Sequence, residues 1–248
     1  MKNKTYKIIY IFFNILTFLI SLNKNNYSIC LLTIILYTLP EIISKIFKIT
    51  FPNHFKIAIL IFIFSSQVLG EIYNFYILFP CWDNIIHIIF GFYITAFGFS
   101  IIYLLNKKTK TFNKYFIILF IISFAALVGV LWELFEYSVD KIYLKDMQKD
   151  NIVTSISTNY LDNKKIIIKK IDHTIIYDKE NKELLKINNG YLDIGIKDTI
   201  EDFISNLIGA FIFSILSLLY LKDKNKYPLG GYFVIKKSTW LFMRIIWY

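Results

Sequence analysis

Hydrophobic positions along this chain are grouped into long uninterrupted runs, with few polar residues to give them an amphipathic face. Each run has about 17–25 residues, the length at which a helix rising 1.5 Å per residue crosses about 30 Å of hydrocarbon. The runs are Tyr6–Leu22, Tyr27–Phe47, Phe55–Leu78, Ile85–Leu105, Tyr115–Phe135 and Ile200–Leu221. Helices of a soluble domain would need polar faces. The pattern therefore predicts an all-α transmembrane helix bundle with six spans.

Two of these runs need interpretation. Pro40 and Glu41 interrupt the second run, so we expect a kinked or partly re-entrant span there. The first run follows three lysines, as a secretory signal would. Leu19 and Leu22 stand where a cleavage site would need small residues, so the sequence favours a retained first span.

Residues 141–197 differ from the rest of the chain, with 11 lysines against 8 acidic residues. Short apolar runs alternate with turn residues at 178–181 and at the dipeptide Asn189–Gly190, which is a hairpin signal. We expect a small β-rich insert of three or four antiparallel strands that packs on the membrane domain, because it is too small for its own core. The predicted organisation is spans one to five in 1–140, the insert in 141–197, span six in 198–226 and an aromatic, basic tail in 227–248 that is cytoplasmic or interfacial.

Composition supports a membrane location and charge supports an orientation. The chain is 56% hydrophobic with a mean hydropathy of +0.52. The net charge of +10 comes from lysines between apolar runs rather than from a basic arm, so no nucleic-acid partner is predicted. Loop 106–114 carries four lysines, whereas loop 79–84 carries none. The alternation predicts a multi-pass protein of the bacterial cytoplasmic membrane with both termini cytoplasmic and the insert extracytoplasmic.

Polar residues within the spans form three stripes, each acidic at one end and small further in. The stripes comprise Asp83 and His87 in the fourth span, Glu133 and Glu136 in the fifth, and Asp198, Asp202 and Asn206 in the sixth. The members of each stripe fall within an arc of about 60–80° of the helix circumference. A carboxylate inside a span costs about 2.5–3.5 kcal/mol, so it faces protein or water. We expect these stripes to meet in one outward-facing polar site, which Glu71 could join from below.

The chemistry of this set leaves alternatives open. Clustered carboxylates need a cation or protons between them, and with one imidazole they suit Mg²⁺, Ca²⁺, Mn²⁺ or Zn²⁺. A cationic lipid headgroup or a relayed proton would serve equally. Asp83 and Asp198 also suit helix starts, and His87 suits a buried interior position. Cys30 and Cys81 both map near the outer surface, where a disulfide is permitted, although two separate thiols are the simpler interpretation.

Three stretches together resemble known membrane families: Trp82–Phe92, Val130–Tyr137 and Gly190–Ala210. They resemble the uncharacterised bacterial inner-membrane family typified by YjdF. The order Asp-x-x-x-His, then Glu, then Asp-x-x-x-Asn-x-x-Gly-Ala is also similar to that of VanZ-like proteins of glycopeptide resistance. The resemblance implies the same site residues and no defined reaction. The insert at 141–197 departs from the compact loops of those families.

Three classes of function remain. The first is a membrane protein whose outer polar site binds a divalent cation or an envelope-lipid headgroup, with or without enzymatic turnover. The second is an ion- or proton-coupled transporter, for which the inner half offers only Glu41 and Asn14. The third is a scaffold or sensor that acts through the insert.

Overall fold

The computed structural model describes residues 2–109, 112–160 and 167–237 of the chain. The chain forms two compact units, one from Met1–Gly129 with Phe203–Tyr248 and the other from Val130–Asp202. The predicted tail beyond Lys237 and the middle of the predicted insert, 161–166, lie outside the described residues.

Six helical segments of the described chain are long and apolar enough to cross a membrane. They are Lys4–Asn23, Tyr27–Phe47, Asn53–Ile72, Trp82–Asn106, Lys114–Tyr143 and Ile196–Lys222. One face of the first helix shows why lipid must cover them: Ile8, Phe12, Ile15 and Leu19 recur every three or four residues, with exposed fractions of 59%, 58%, 53% and 57%. A soluble protein rarely exposes such a continuous apolar stripe. The predicted bundle of six apolar helices is confirmed.

The helices have these bounds: α1 Lys2–Asn23, α2 Tyr27–Tyr37, α3 Leu39–Phe47, α4 Asn53–Ile63, a π-helical continuation Phe64–Ile72, α5 Phe75–Leu78, α6 Trp82–Thr109, α7 Lys114–Tyr143, α8 Ile196–Lys222 and α9 Leu229–Tyr232. The second span breaks at Thr38, two residues before Pro40, as the sequence predicts. The prediction that the third span runs to Leu78 was wrong. Its helix ends at Ile72 because Asn74 adopts a left-handed conformation, with φ of 58°.

The core of the first unit includes a segment that follows the last span. Ile235 is 1% exposed and packs in the aromatic core with Phe55 and Phe213. The Ser100 hydroxyl donates to the Phe233 carbonyl at 3.1 Å and accepts the Ile235 amide at 3.1 Å. Strand β1 (Ile49–Thr50) pairs antiparallel with β8 (Lys236–Lys237). The hydrophobic pattern does not predict this packing, because lysines interrupt the apolar run there.

Helices α6 and α8 approach each other closely along their small residues. A Cβ at Gly209 would overlap the carbonyl oxygen of Ile88 and lie 2.8 Å from the amide nitrogen of Phe92. Only glycine allows the two backbones to be this close. Asn206, one turn earlier on α8, donates its Nδ2 to the Ala125 carbonyl of α7 at 3.3 Å. The small residues of these stripes thus let α6 and α8 pack closely.

The second unit holds the end of α7, the start of α8 and six short strands among its described residues. The strands are β2 Asn151–Val153, β3 Ser155–Thr158, β4 Ile167–Lys170, β5 His173–Tyr177, β6 Glu183–Asn188 and β7 Tyr191–Asp193. They form three antiparallel two-stranded ribbons, β2–β7, β3–β4 and β5–β6. The sequence predicts three or four strands, so the insert has more and shorter strands than expected.

The two predicted turns of the insert differ in outcome. The turn after Tyr177 joins the paired strands β5 and β6, and the Asp178 carboxylate accepts the amides of Glu180 and Lys182 at 2.9 and 2.8 Å. The hairpin prediction for Asn189–Gly190 was wrong, because β7 pairs with β2 and not with β6. A Cβ at Gly190 would lie 2.7 Å from the Val153 carbonyl oxygen, so this glycine admits β2 instead.

Candidate cation-binding site

Three carboxylates converge within the second unit. Glu133 and Glu136 lie three residues apart on α7, on the same face, and Asp202 lies on α8. One carboxylate oxygen of each lies within 4.8 Å of the other two. The three residues are only 5%, 7% and 2% exposed. They enclose a volume that suits a single ion.

Electrostatics makes this arrangement costly unless something compensates it. Two unit charges 4.8 Å apart repel by about 3–4 kcal/mol even at an effective dielectric constant of 20. Three ionised groups make three such pairs, and burial adds the loss of hydration. The triad therefore needs protons or a cation to be stable in the folded protein.

Trp132 orients one member of the triad. Its indole Nε1 donates to Oε1 of Glu136 at 2.9 Å, one helical turn away on α7. A donor of this kind fixes a ligating carboxylate in one orientation. Sequence reasoning missed Trp132, although its spacing of four residues from Glu136 is the signal that would have found it.

Asp198 and Asp140 bind backbone amides of the segment that follows α7. The Asp198 carboxylate accepts the backbone amide of Lys149 at 2.9 Å, and Asp140 accepts the amides of Met147 and Gln148 at 2.7 and 2.9 Å. These two acids thus hold the segment between α7 and β2 by its backbone. Among the described residues of the second unit, Asp198 is not a member of the converging triad.

The first unit holds the other predicted site residues. His87 is 7% exposed, and its Nε2 lies 3.5 Å from Oδ1 of Asp83, one turn earlier on α6. Asn206 is buried against α7, as described above. Glu71 is exposed at the end of the π-helical segment, and it is not among the residues whose ligand atoms converge in the described chain. Cys30 is buried, Cys81 is exposed, and both are free thiols.

Comparison with known proteins identifies the family of this chain. Residues 4–223 match the family described as "Predicted membrane protein (DUF2238)", a stretch that contains all six apolar segments. The chain belongs to this family. A Thermotoga maritima protein described as uncharacterized is 32% identical over 104 residues, which cover 42% of this chain and 53% of that protein. The matched part of the chain thus spans about half the length of that relative. No solved structure matches the chain.

The six apolar helices and the description of the DUF2238 family are consistent with a multi-pass membrane protein in the lipid bilayer. The YjdF-like and VanZ-like resemblances are not confirmed by the comparisons, which show the DUF2238 family instead.

One acid of this DUF2238 protein outside the spans has a shifted pKa. Partial desolvation raises the pKa of Asp150, which is exposed, above its ordinary value of 3.8, and the nearby carboxylates of Asp146, Asp140 and Asp193 raise it further. The folded state therefore holds this proton more tightly than the unfolded state. Protonated Asp150 therefore stabilises the fold at low pH. This stabilisation is lost as the pH rises from the ordinary pKa of 3.8 through the raised pKa, and it returns on acidification.

We expect Asp150→Asn to reduce this pH dependence and to protect the insert at neutral pH. Amide hydrogen exchange of residues 144–153, followed from about pH 4 to pH 7, measures the effect. Glu180→Gln, which removes an exposed acid from the β5–β6 turn, is the matched control. If Asp150→Asn and Glu180→Gln changed the pH dependence of this exchange by the same amount, the raised pKa of Asp150 would not be its cause.

Proposed function

We propose that this DUF2238 protein binds a divalent cation through Glu133, Glu136 and Asp202, in a site that faces the extracytoplasmic side of the membrane. The observation that carries the proposal is the convergence of three buried carboxylates within 4.8 Å in apolar membrane-spanning helices. Buried charges in a span persist when they are paired or coordinate an ion, and they mark functional sites.

The ligand chemistry favours a hard divalent ion. Carboxylate oxygens are the ligands that Mg²⁺, Ca²⁺ and Mn²⁺ prefer, and three protein ligands leave positions for water or a substrate oxygen. An ion held in this way can contact an anionic group of an envelope lipid. The site is thus suited to recognition of such a headgroup at the outer surface.

The outward orientation rests on the lysine asymmetry of the short loops. The triad lies at the ends of α7 and α8 that adjoin the insert in sequence. Cys81 lies in the loop between the third and fourth spans, which the alternation of the spans assigns to the extracytoplasmic side. Cys81 is exposed and Cys30 is buried.

We expect an impermeant maleimide to label Cys81 in intact cells, with Cys81→Ser as the unlabelled control. Labelling of Cys81 only after permeabilisation would reverse the orientation.

Thermal melting of the purified protein tests the cation. A ligand that binds only the folded state stabilises it by RT ln(1 + [L]/Kd), about 2.7 kcal/mol at a hundredfold excess over Kd. We expect chelation to lower the melting temperature and one of Mg²⁺, Ca²⁺, Mn²⁺ or Zn²⁺ to restore it. A melting temperature that is the same under every condition would remove the metal proposal. Binding of a lipid headgroup without a metal, proton-coupled transport and action through the insert would then be the remaining functions.

A further inference from the structure

The first unit contains a cavity that is formed by residues distant in sequence from the carboxylate triad. Its volume is about 570 Å³, within the range of ligand pockets. Its lining comprises Thr5, Tyr6, Thr50, Phe51, Pro52, Asn53, His54, Ile57 and Lys236. Polar and basic side chains thus share the cavity with aromatic and aliphatic ones.

The cavity lies at one end of the spans. Its residues come from the start of the first span, from the link between the second and third spans, and from the segment after the sixth. Because successive spans alternate in direction, these ends lie on the same side of the bilayer. That level is occupied by lipid headgroups and the first carbons of their chains.

Lys236 is held in place at the cavity by the fold. Its partner in the antiparallel β1–β8 pair is Thr50, so the two side chains point to the same face. Its neighbour Ile235 is buried in the core and bonded to Ser100. Lys236 itself is exposed. The position of this charge is therefore set by a buried anchor rather than by a loose chain end.

His54 is held from the same segment. Its Nε2 contacts the backbone carbonyl of Tyr232, and because a carbonyl can only accept, Nε2 carries the proton. His54 lies in the first turn of α4, whose N-cap residue Pro52 provides no side-chain cap. The positive end of a helix dipole therefore also faces this region, which favours an anion.

The charge around the cavity is positive. The described residues that line it include no carboxylate. The acid in this part of the unit, Glu41, is bound by Lys56, with Nζ at 2.6 Å from Oε1. Lys56 is only 8% exposed, and its Nζ lies 5.1 Å from the ring centroid of Tyr6, whose side chain forms part of the cavity wall. Lys56 thus pairs with Glu41, and Lys236 is the exposed lysine among the described residues that line the cavity.

We propose that this cavity binds the phosphate-bearing headgroup of an anionic phospholipid. Lys236 supplies the charge, the hydroxyls of Thr5 and Thr50 donate to phosphate oxygens, and the apolar wall of Phe51 and Ile57 contacts the acyl chains. The mixture of a polar rim and an apolar wall fits a lipid better than a free inorganic anion.

The test uses the full chain in a neutral maltoside detergent with chelator present, so that the cation site plays no part. Melting temperature is followed against dilauroyl phosphatidylglycerol, dilauroyl phosphatidylcholine and inorganic phosphate. We expect phosphatidylglycerol to stabilise the wild type most, and Lys236→Ala to raise its half-saturating concentration about fivefold. Lys24→Ala, an exposed lysine at the other end of α1, should leave that concentration unchanged.

Thr50→Glu is a second variant that leaves Lys236 in place. It puts a carboxylate opposite Lys236 on the cavity rim and should abolish the effect of phosphatidylglycerol. Equal stabilisation by the two lipids, full stabilisation by inorganic phosphate, or an unchanged half-saturation in both cavity variants would each overturn the proposal.

Discussion

Asp202→Asn is expected to stabilise the metal-free protein and to remove most of the stabilisation that a cation provides. Without a cation, the substitution removes one of three buried charges that lie within 4.8 Å of one another. Repulsion and insertion cost both fall, so the metal-free variant should be more stable than the metal-free wild type by on the order of 1–3 kcal/mol.

With a saturating cation, the same variant should show little of the stabilisation that the wild type shows. An amide oxygen is a weaker ligand than a carboxylate and brings no charge to the ion. At a hundredfold excess over the wild-type Kd, most of the expected gain of about 2.7 kcal/mol should be lost. The rise in melting temperature from chelator to ion should therefore be large for the wild type and small for the variant.

Glu201→Gln is the matched control for this prediction. It removes a carboxylate from the adjacent position of α8, where the side chain pairs with Lys197 at 3.4 Å and does not join the triad. Its response to cation should equal that of the wild type. If Asp202→Asn and Glu201→Gln lost the same amount of stabilisation, the effect would belong to the overall charge of the helix and not to the triad.

Gly209→Ala is expected to have a large effect on the stability of the helix bundle. The new methyl group would overlap the Ile88 carbonyl oxygen of α6, which is backbone and cannot rotate away. Helices α6 and α8 would have to separate, at a cost of about 1–3 kcal/mol or more. The measurement is the melting temperature and the monodisperse fraction of the purified protein in detergent.

Gly98→Ala makes the same chemical change on α6. There the new methyl group would meet the ring of Phe124, at 2.8 Å from Cδ1. A side chain can rotate, so we expect less than about 1 kcal/mol of destabilisation. Equal losses in the two variants would show that the contact with Ile88 does not set the cost of replacing Gly209.

The hydrophobic pattern predicts the spans well and their ends less well. An uninterrupted apolar run of the right length has few alternatives to a membrane-spanning helix. The end of a span depends instead on single residues. Asn74 stops the third span through its left-handed conformation, and α7 extends to Tyr143, beyond the predicted start of the insert at residue 141.

Contacts between residues distant in sequence account for what the sequence could not predict. The pairing of β2 with β7 closes a loop of more than 35 residues, and a local turn signal such as Asn189–Gly190 contains no information about it. In the same way, the packing of Ile235 in the aromatic core depends on Ser100, more than 100 residues earlier.

Within the candidate site, helical spacing accounts for part of the arrangement. It predicts that Glu133 and Glu136 share a face, and the common depth of the stripes predicts that Asp202 lies near them. Helical spacing cannot distinguish an acid whose carboxylate joins the triad from one whose carboxylate binds the backbone of a loop. Asp198 and Asp202 are one turn apart on α8. Asp198 binds a backbone amide because the amide of Lys149 lies 2.9 Å from its carboxylate, and this position cannot be read from helical spacing.

The metal content of the purified protein tests the central claim most directly. Wild-type protein is equilibrated with the cation that gives the largest rise in melting temperature, freed of unbound ion, and analysed by inductively coupled plasma mass spectrometry beside the triple variant Glu133→Gln, Glu136→Gln, Asp202→Asn. We expect one divalent ion per chain in the wild type and none in the triple variant. No bound ion in the wild type, or the same ion content in a folded triple variant, would contradict a cation site formed by these three carboxylates.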